Sequence, residues 1–154
     1  MDIAWLGQLG FVLPLGMGAI GSALGIGAAG RAAAGAWARE AKEGKPLNFK
    51  YIVLTGMPLS QTIYGLLVSL LILGPKLGDA AYMSANAGAL FCIGLAAGLG
   101  ELFSAWMQGA IGAAGARAMV ESEGKPFANT MIAMGIAETV GIFAFVFMFM
   151  LMPK

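Results

Sequence analysis

The sequence predicts an all-α membrane protein: four transmembrane helices, arranged as two tandem hairpins, assembling into a ring. Three observations predict it. Charge is scarce, 11% of the 154 residues against 59% hydrophobic, where a soluble domain carries about 25% charged residues. The few charges leave four long apolar runs. Finally, the loop motif of the first half returns in the second.

The four runs are taken in order. Residues 3–38 hold one charge, Arg31, and residues 51–75 hold none. Residues 80–116 hold only Glu101, and residues 127–153 only Glu138. Each exceeds the roughly 20 residues that cross a bilayer core as a helix. Backbone polar groups in lipid must be satisfied within their own segment, so each run is predicted to be helical. The Met1-Asp2-Ile3 start has no basic region and the first run is long, so no removable leader is expected.

Basic residues set the orientation. Arg39, Lys42, Lys45 and Lys50 flank the first connection, and Arg117 and Lys125 flank the second. The opposite side has Lys76 and Lys154. The positive-inside rule places both hairpin loops in the cytoplasm and both termini on the opposite face. The net charge of +1 gives no basis for nucleic-acid binding. There is no His, which removes the usual general base and metal ligand. The single Cys92 allows no intramolecular disulfide and is expected as a small buried residue.

Glu43-Gly44-Lys45-Pro46 and Glu123-Gly124-Lys125-Pro126 lie 80 positions apart. At the same offset Ala33-Ala34-Gly35-Ala36 matches Ala113-Ala114-Gly115-Ala116, and Gly18 matches Gly98. This divides the chain into a first hairpin, 1–79, and a second, 80–154, as a parallel duplication. The first and third helices are rich in glycine: Gly18, Gly21 and Gly25 in one, Gly94, Gly98 and Gly109 in the other. In lipid such residues let backbones approach and pack by dispersion. They recur around most of each helix, which favours a crowded inner ring over a simple bundle. Leu66, Leu67, Leu70, Leu71, Phe143, Phe145, Phe147 and Phe149 of the second and fourth helices are expected to face lipid, as is Val68.

An intramembrane carboxylate is costly and is functional by default. Glu138 lies twelve residues after Pro126, near mid-bilayer at about 1.5 Å per residue. Gln108 of the third helix and Ser60 and Gln61 of the second fall at the same depth. Met57, Ser60, Gln61 and Tyr64 share one helical face. Hard cations favour such oxygen ligands. Pro58 lacks an N–H and is expected to disturb the helix there, exposing carbonyl oxygens. Singly, each amide or hydroxyl reads equally as interhelical glue; their convergence on Glu138 favours an ion site.

These residues resemble the proteolipid rotor-ring component of the rotary V-type ATPases, known as their K or c subunit. The hairpin duplication carries the match, together with Pro58-Leu59-Ser60-Gln61-Thr62-Ile63-Tyr64-Gly65, Met107-Gln108-Gly109 and Ala137-Glu138-Thr139. The resemblance covers essentially the whole chain. It implies a homo-oligomeric rotor ring in the membrane lipid, turning against a stator subunit with an essential arginine. A central-stalk subunit would contact the cytoplasmic loops, and partner subunits would hydrolyse ATP, since this chain carries no phosphate-binding loop and is not itself an enzyme. The ion would be Na+, with H+ as the alternative, held by Glu138, Gln108, Gln61, Ser60 and the Met57 carbonyl, with Tyr64 supporting the glutamate. Pro58 stands at the offset position of Glu138, so one site per duplicated subunit is implied, which in the family accompanies pumping. Glu101 is outside this pattern: seven residues from Gln108, it is expected about 10 Å deeper toward the termini, protonated and hydrogen-bonded between subunits or serving a second ion site. Arg31 is expected to snorkel toward the loop side. A passive Gly-rich pore or scaffold is the competing reading.

The orientation is testable by labelling. In a Cys92→Ser background, single cysteines at Gly44 and Gly124 should react from the cytoplasmic side and one at Asp79 from the other. Labelling of the two loops from opposite sides excludes a parallel duplication.

Overall fold

Residues 3–154 are described by a computed structural model; the Met1-Asp2 start lies outside them. Four helices are long and apolar enough to span a membrane: α1 (Ala4–Lys42), α2 (Lys50–Lys76), α3 (Ala87–Glu121) and α4 (Phe127–Met150). The chain is an integral, multi-pass membrane protein. A short helical turn, Ala80–Ala85, leads into α3, capped by the Asp79 carboxylate accepting from the Tyr82 N–H. At 39 residues, α1 is about 58 Å long, well beyond the roughly 30 Å hydrocarbon core.

The two hairpin turns share a glycine but differ at the residue before it, where Glu123 has φ +56° and Glu43 φ −84°. Gly44 and Gly124 adopt positive φ, +64° and +80°, which glycine reaches without a Cβ clash. Glu43 lies between Arg39, at 2.9 Å, and Lys45, at 2.8 Å. Hydrogen bonds from these cations hold its exposed carboxyl at about 2, well below the usual range. Glu43 therefore keeps its negative charge well below neutral pH.

Glycine sets the helix packing. A Cβ on Gly109 would collide with the backbone of Gly25, one on Gly94 with the Gly10 backbone, and one on Gly21 would reach Leu102 Cα at 2.6 Å. These partners rise together along both helices, so α1 and α3 run parallel, in register near the 80-residue offset of the repeat. Within each hairpin the partners run oppositely: Pro14 meets Gly65 and Gly25 meets Pro58, while Ala144 meets Gly100 and Thr130 meets Gly115. The carbonyls that Pro14 and Pro58 deprive of helical donors belong to Gly10 and Leu54. Both abut bare positions on α3, at Gly94 and Gly112, where weak Cα–H···O contacts are available.

The interior is layered. Near the loops lies an apolar cluster of Ala33, Ala36, Tyr51, Leu54, Ala116, Met119 and Met134. Near the termini lies a second, of Val68, Ile72, Leu73, Met83, Leu90, Ile93 and Ala97. Between them are the buried polar residues Ser22, Gln61, Glu101, Ser104 and Gln108.

Several expectations about faces are corrected. Leu66, Leu70, Leu71, Phe143, Phe147 and Phe149 are exposed, whereas Leu67 is half-buried and Phe145 packs on the terminal-side cluster. Val68 is fully buried. Helix α2 is irregular: it tightens at Met57–Leu59 and widens into a π-helical stretch at Val68–Leu73. Val68 lies seven residues after Gln61 and three after Gly65, so regular helical spacing already sets it on their buried face, and its apolar residue type was a poor guide. Cys92 is exposed, not buried.

Gly109→Leu and Gly25→Leu should prevent folding of the chain itself, because both positions face backbone inside one subunit. Gly16→Leu meets nothing within 4 Å in the chain and should leave the extracted monomer folded. Normal protease resistance of the Gly109→Leu monomer contradicts this packing.

Candidate ion site

The polar layer brings Met57, Ser60, Gln61, Tyr64, Gln108 and Glu138 together. Tyr64 Oη donates to Glu138 Oε1 at 3.0 Å, and Gln108 Nε2 donates to Glu138 Oε2 at 3.3 Å. Gln108 Nε2 also donates to the Met134 carbonyl at 3.2 Å. Its Oε1 accepts from Gln61 Nε2 at 3.2 Å. Ser60 Oγ lies 3.1 Å from Gln61 Oε1 and 3.2 Å from the Met57 carbonyl, either of which accepts its hydroxyl proton. One connected chain of polar groups thus runs Ser60, Gln61, Gln108, Glu138, Tyr64, across α2, α3 and α4.

Local structure explains the placement. Pro58 tightens α2 at Met57–Leu59, and the Ser60 N–H closes that turn onto the Met57 carbonyl. The next turn carries Gln61 inward and Tyr64 toward α4. Helix α4 runs antiparallel to α3, which sets Glu138 opposite Gln108. Gln61 and Gln108 are 0% exposed, and Glu138 is half-buried. Around it Leu59, Ile63, Ile136 and Val140 are exposed. The site is therefore closed toward α1 and opens at the outward face of α2 and α4.

Ser104 completes this layer and was not singled out from the sequence. Its Oγ accepts from Gln61 Nε2 at 3.0 Å and donates to the Ala137 carbonyl at 2.9 Å. The signal was present: Ser104 lies four residues before Gln108, on the same helical face. Thr139, beside Glu138, bonds instead to its own helix at the Ile136 carbonyl. Glu101 differs from expectation. It is wholly buried within the chain, so it makes no hydrogen bond between subunits. Its carboxyl ends beside Gly141, one turn from Glu138. Arg31 is exposed on the loop side, lining a cavity of about 300 Å³ with Arg39, Arg117 and Glu121.

Among the described residues no three His, Cys, Asp or Glu side chains group as a metal cluster. The arrangement is instead one carboxylate linked by hydrogen bonds to neutral amide and hydroxyl groups.

The family model for the C subunit of ATP synthase matches residues 9–72 and again residues 91–151. The chain belongs to the ATP synthase C-subunit family. Each match takes in one of the two hairpins. The chain is also 34% identical, over 144 residues, to the A-type ATP synthase subunit K of Methanocaldococcus jannaschii. That alignment covers 93% of this chain and 60% of the relative, so the chain spans less than two thirds of the relative's length. Gln108 lies in the early part of the second family match and Glu138 in its late part, while Ser60, Gln61 and Tyr64 lie in the late part of the first.

Ser104→Ala removes an acceptor for Gln61 and a donor to Ala137. It should lower resistance to denaturation in detergent by about 0.5–2 kcal/mol, the range for interhelical hydrogen bonds in membranes. No change in the unfolding midpoint contradicts its place in the network.

Proposed function

We propose that the chain is a rotor-ring subunit that carries Na+ across the membrane on Glu138, coupled to ATP turnover by partner subunits. It is the non-catalytic, ion-translocating part of that machine. The observation that carries the reading is the connected network that joins both Glu138 oxygens to α2 and α3.

The site's chemistry supports a cation as cargo. Amides present either nitrogen or oxygen by a half-turn. In the network Gln108 offers its N–H to the carboxylate. Turned over, Gln108 and Gln61 offer oxygens, joining Glu138, Ser60 Oγ and the Met57 carbonyl around one ion. That set favours Na+ over a bare proton site, which needs one carboxyl and no oxygen cage. Tyr64 holds the carboxylate from the outward side.

Packing supports the ring. Helices α1 and α3 pack in parallel with equivalent residues opposed, and that step can repeat from one subunit to the next. Small residues remain for it: Gly16, Gly35 and Gly88 meet nothing within 4 Å in the chain, and Ala19, Ala23 and Ala96 are exposed. The two family matches and the parallel register support division into hairpins 1–79 and 80–154. Glu138 then faces outward, toward a stator subunit whose essential arginine displaces the ion. The loop ends, taken as cytoplasmic, carry a cavity of about 540 Å³ lined by charged residues including Arg39, Glu43, Lys45 and Glu123. A central-stalk subunit would dock there, with the termini on the opposite face.

Carbodiimide labelling tests the ion. The reagent attacks the protonated carboxyl, whereas sodium binds the ionised one, so sodium should slow labelling of Glu138, and more should be needed as pH falls. Gln61→Ala and Gln108→Ala should each raise the half-protecting sodium concentration roughly tenfold, equivalent to about 1.4 kcal/mol. Tyr64→Phe should have a smaller effect, and Glu138→Gln should abolish labelling. Indifference to replacing potassium by sodium at fixed pH excludes sodium in favour of the proton. Intact ATP-driven transport in Glu138→Gln excludes the rotor reading.

A further inference from the structure

The network around Glu138 leaves one intramembrane carboxyl unused. Glu101 is 0% exposed, and neither of its carboxyl oxygens has a hydrogen-bond partner among the described residues. Glycines wall it in. A Cβ added at Gly18 of α1 would stand 3.5 Å from Glu101 Cβ. One added at Gly141 of α4 would stand 2.7 Å from Glu101 Oε2, 3.1 Å from Ser104 Oγ and 3.3 Å from Gln61 Cγ. The carboxyl and the Ser104 hydroxyl therefore converge on one bare backbone position.

Among the described residues no basic side chain is near enough to neutralise it. The nearest basic residue along α3, Arg117, is sixteen residues away, about 24 Å; Arg31 of α1 is thirteen residues beyond Gly18, about 20 Å. Helices α2 and α4 carry no basic residue between Lys50 and Lys76 or between Lys125 and Lys154. The titratable groups that face it are Glu138 of α4 and Tyr64 of α2. An ionised Glu101 would thus be a buried, unpaired charge beside a second carboxylate, the arrangement that proteins relieve by neutralising one group. A metal cation is a poor way to do so here. It needs several oxygens, and of these neighbours only the Ser104 hydroxyl shares the bare position at Gly141 with the Glu101 carboxyl, while Tyr64 and Glu138 are bonded to each other and the Gln61 carbonyl lies against Gly18.

We infer that Glu101 is a second ligand-binding carboxyl whose ligand is a resident proton, held within each chain and not exchanged with the carried ion. The inference extends the carrier reading of Glu138, which it leaves as the sole exchanging carboxylate. Two structural differences separate the roles. Glu138 is half-exposed at the outward face, where an ion can enter and leave, whereas Glu101 has no open side. Glu138 also has donors aimed at both oxygens, suited to the ionised form, whereas Glu101 has none. The resident proton removes a second negative charge from beside the ion site, so one carboxylate sets the charge that one cation balances.

Infrared spectroscopy of the assembled ring, in saturating sodium at neutral pH, tests this. Sodium then occupies Glu138. A protonated-carboxyl stretching band should remain, shift on carboxyl 13C labelling, disappear in Glu101→Gln and persist in Glu138→Gln. Sodium-22 binding should give one ion per chain in both the wild type and Glu101→Gln. Absence of the band in the wild type overturns the inference without any variant having to fold. Two sodium ions per chain, falling to one in Glu101→Gln, overturns it in favour of a second sodium site. Because the band is read in Glu138→Gln as well, failure of the carrier reading leaves a different signature: the band persists while sodium binding is absent from the wild type.

Discussion

The close parallel contact of α1 with α3 is the constraint on which the rest of the molecule depends. Lipid gives apolar side chains no reason to leave it for one another, so helices associate through dispersion and fitted polar groups. Dispersion is strongest where backbones touch, and Gly25 against Gly109 and Gly10 against Gly94 bring them together. With these two helices joined, α2 and α4 can pack only along the remaining faces. That brings α2 against α3 at Gln61 and Ser104, and α2 against α4 at Tyr64 and Glu138.

The polar layer follows from the same solvent. A buried amide in lipid has no water to fall back on and must find partners in the protein. Gln61 and Gln108 do so completely on their donor side, with two acceptors each. Their mutual satisfaction fixes the rotation of α2 and α3 about their axes. It also leaves Glu138 as the one carboxylate of the network exposed enough to exchange a ligand. The apolar clusters above and below insulate this layer.

Much of the site was legible in the sequence because depth in a membrane is a one-dimensional quantity. A fixed rise per residue and two identical loop motifs place Ser60, Gln61, Gln108 and Glu138 at one level without any knowledge of packing. Rotation about the helix axis is less legible. Ser104 shares the face of Gln108, but whether that face meets Gln61 depends on where α2 lies. Val68 was misplaced on residue type: it lies seven residues after Gln61, so the helical period already puts it on the inward face that an apolar side chain in lipid does not advertise.

The sequence by itself determined the four spans, their pairing into hairpins and the level of the intramembrane carboxylates. These follow from hydropathy and periodicity, which act locally along the chain. Only the tertiary structure decided which carboxylate opens outward and which is sealed. Glu101 and Glu138 are equally improbable residues in lipid when read in a row. What separates them is that α4 lays the bare backbone of Gly141 over one, while Tyr64 and Gln108 reach the other from helices distant in sequence. Burial and hydrogen bonding between helices are properties of the packed chain, and no local pattern encodes them.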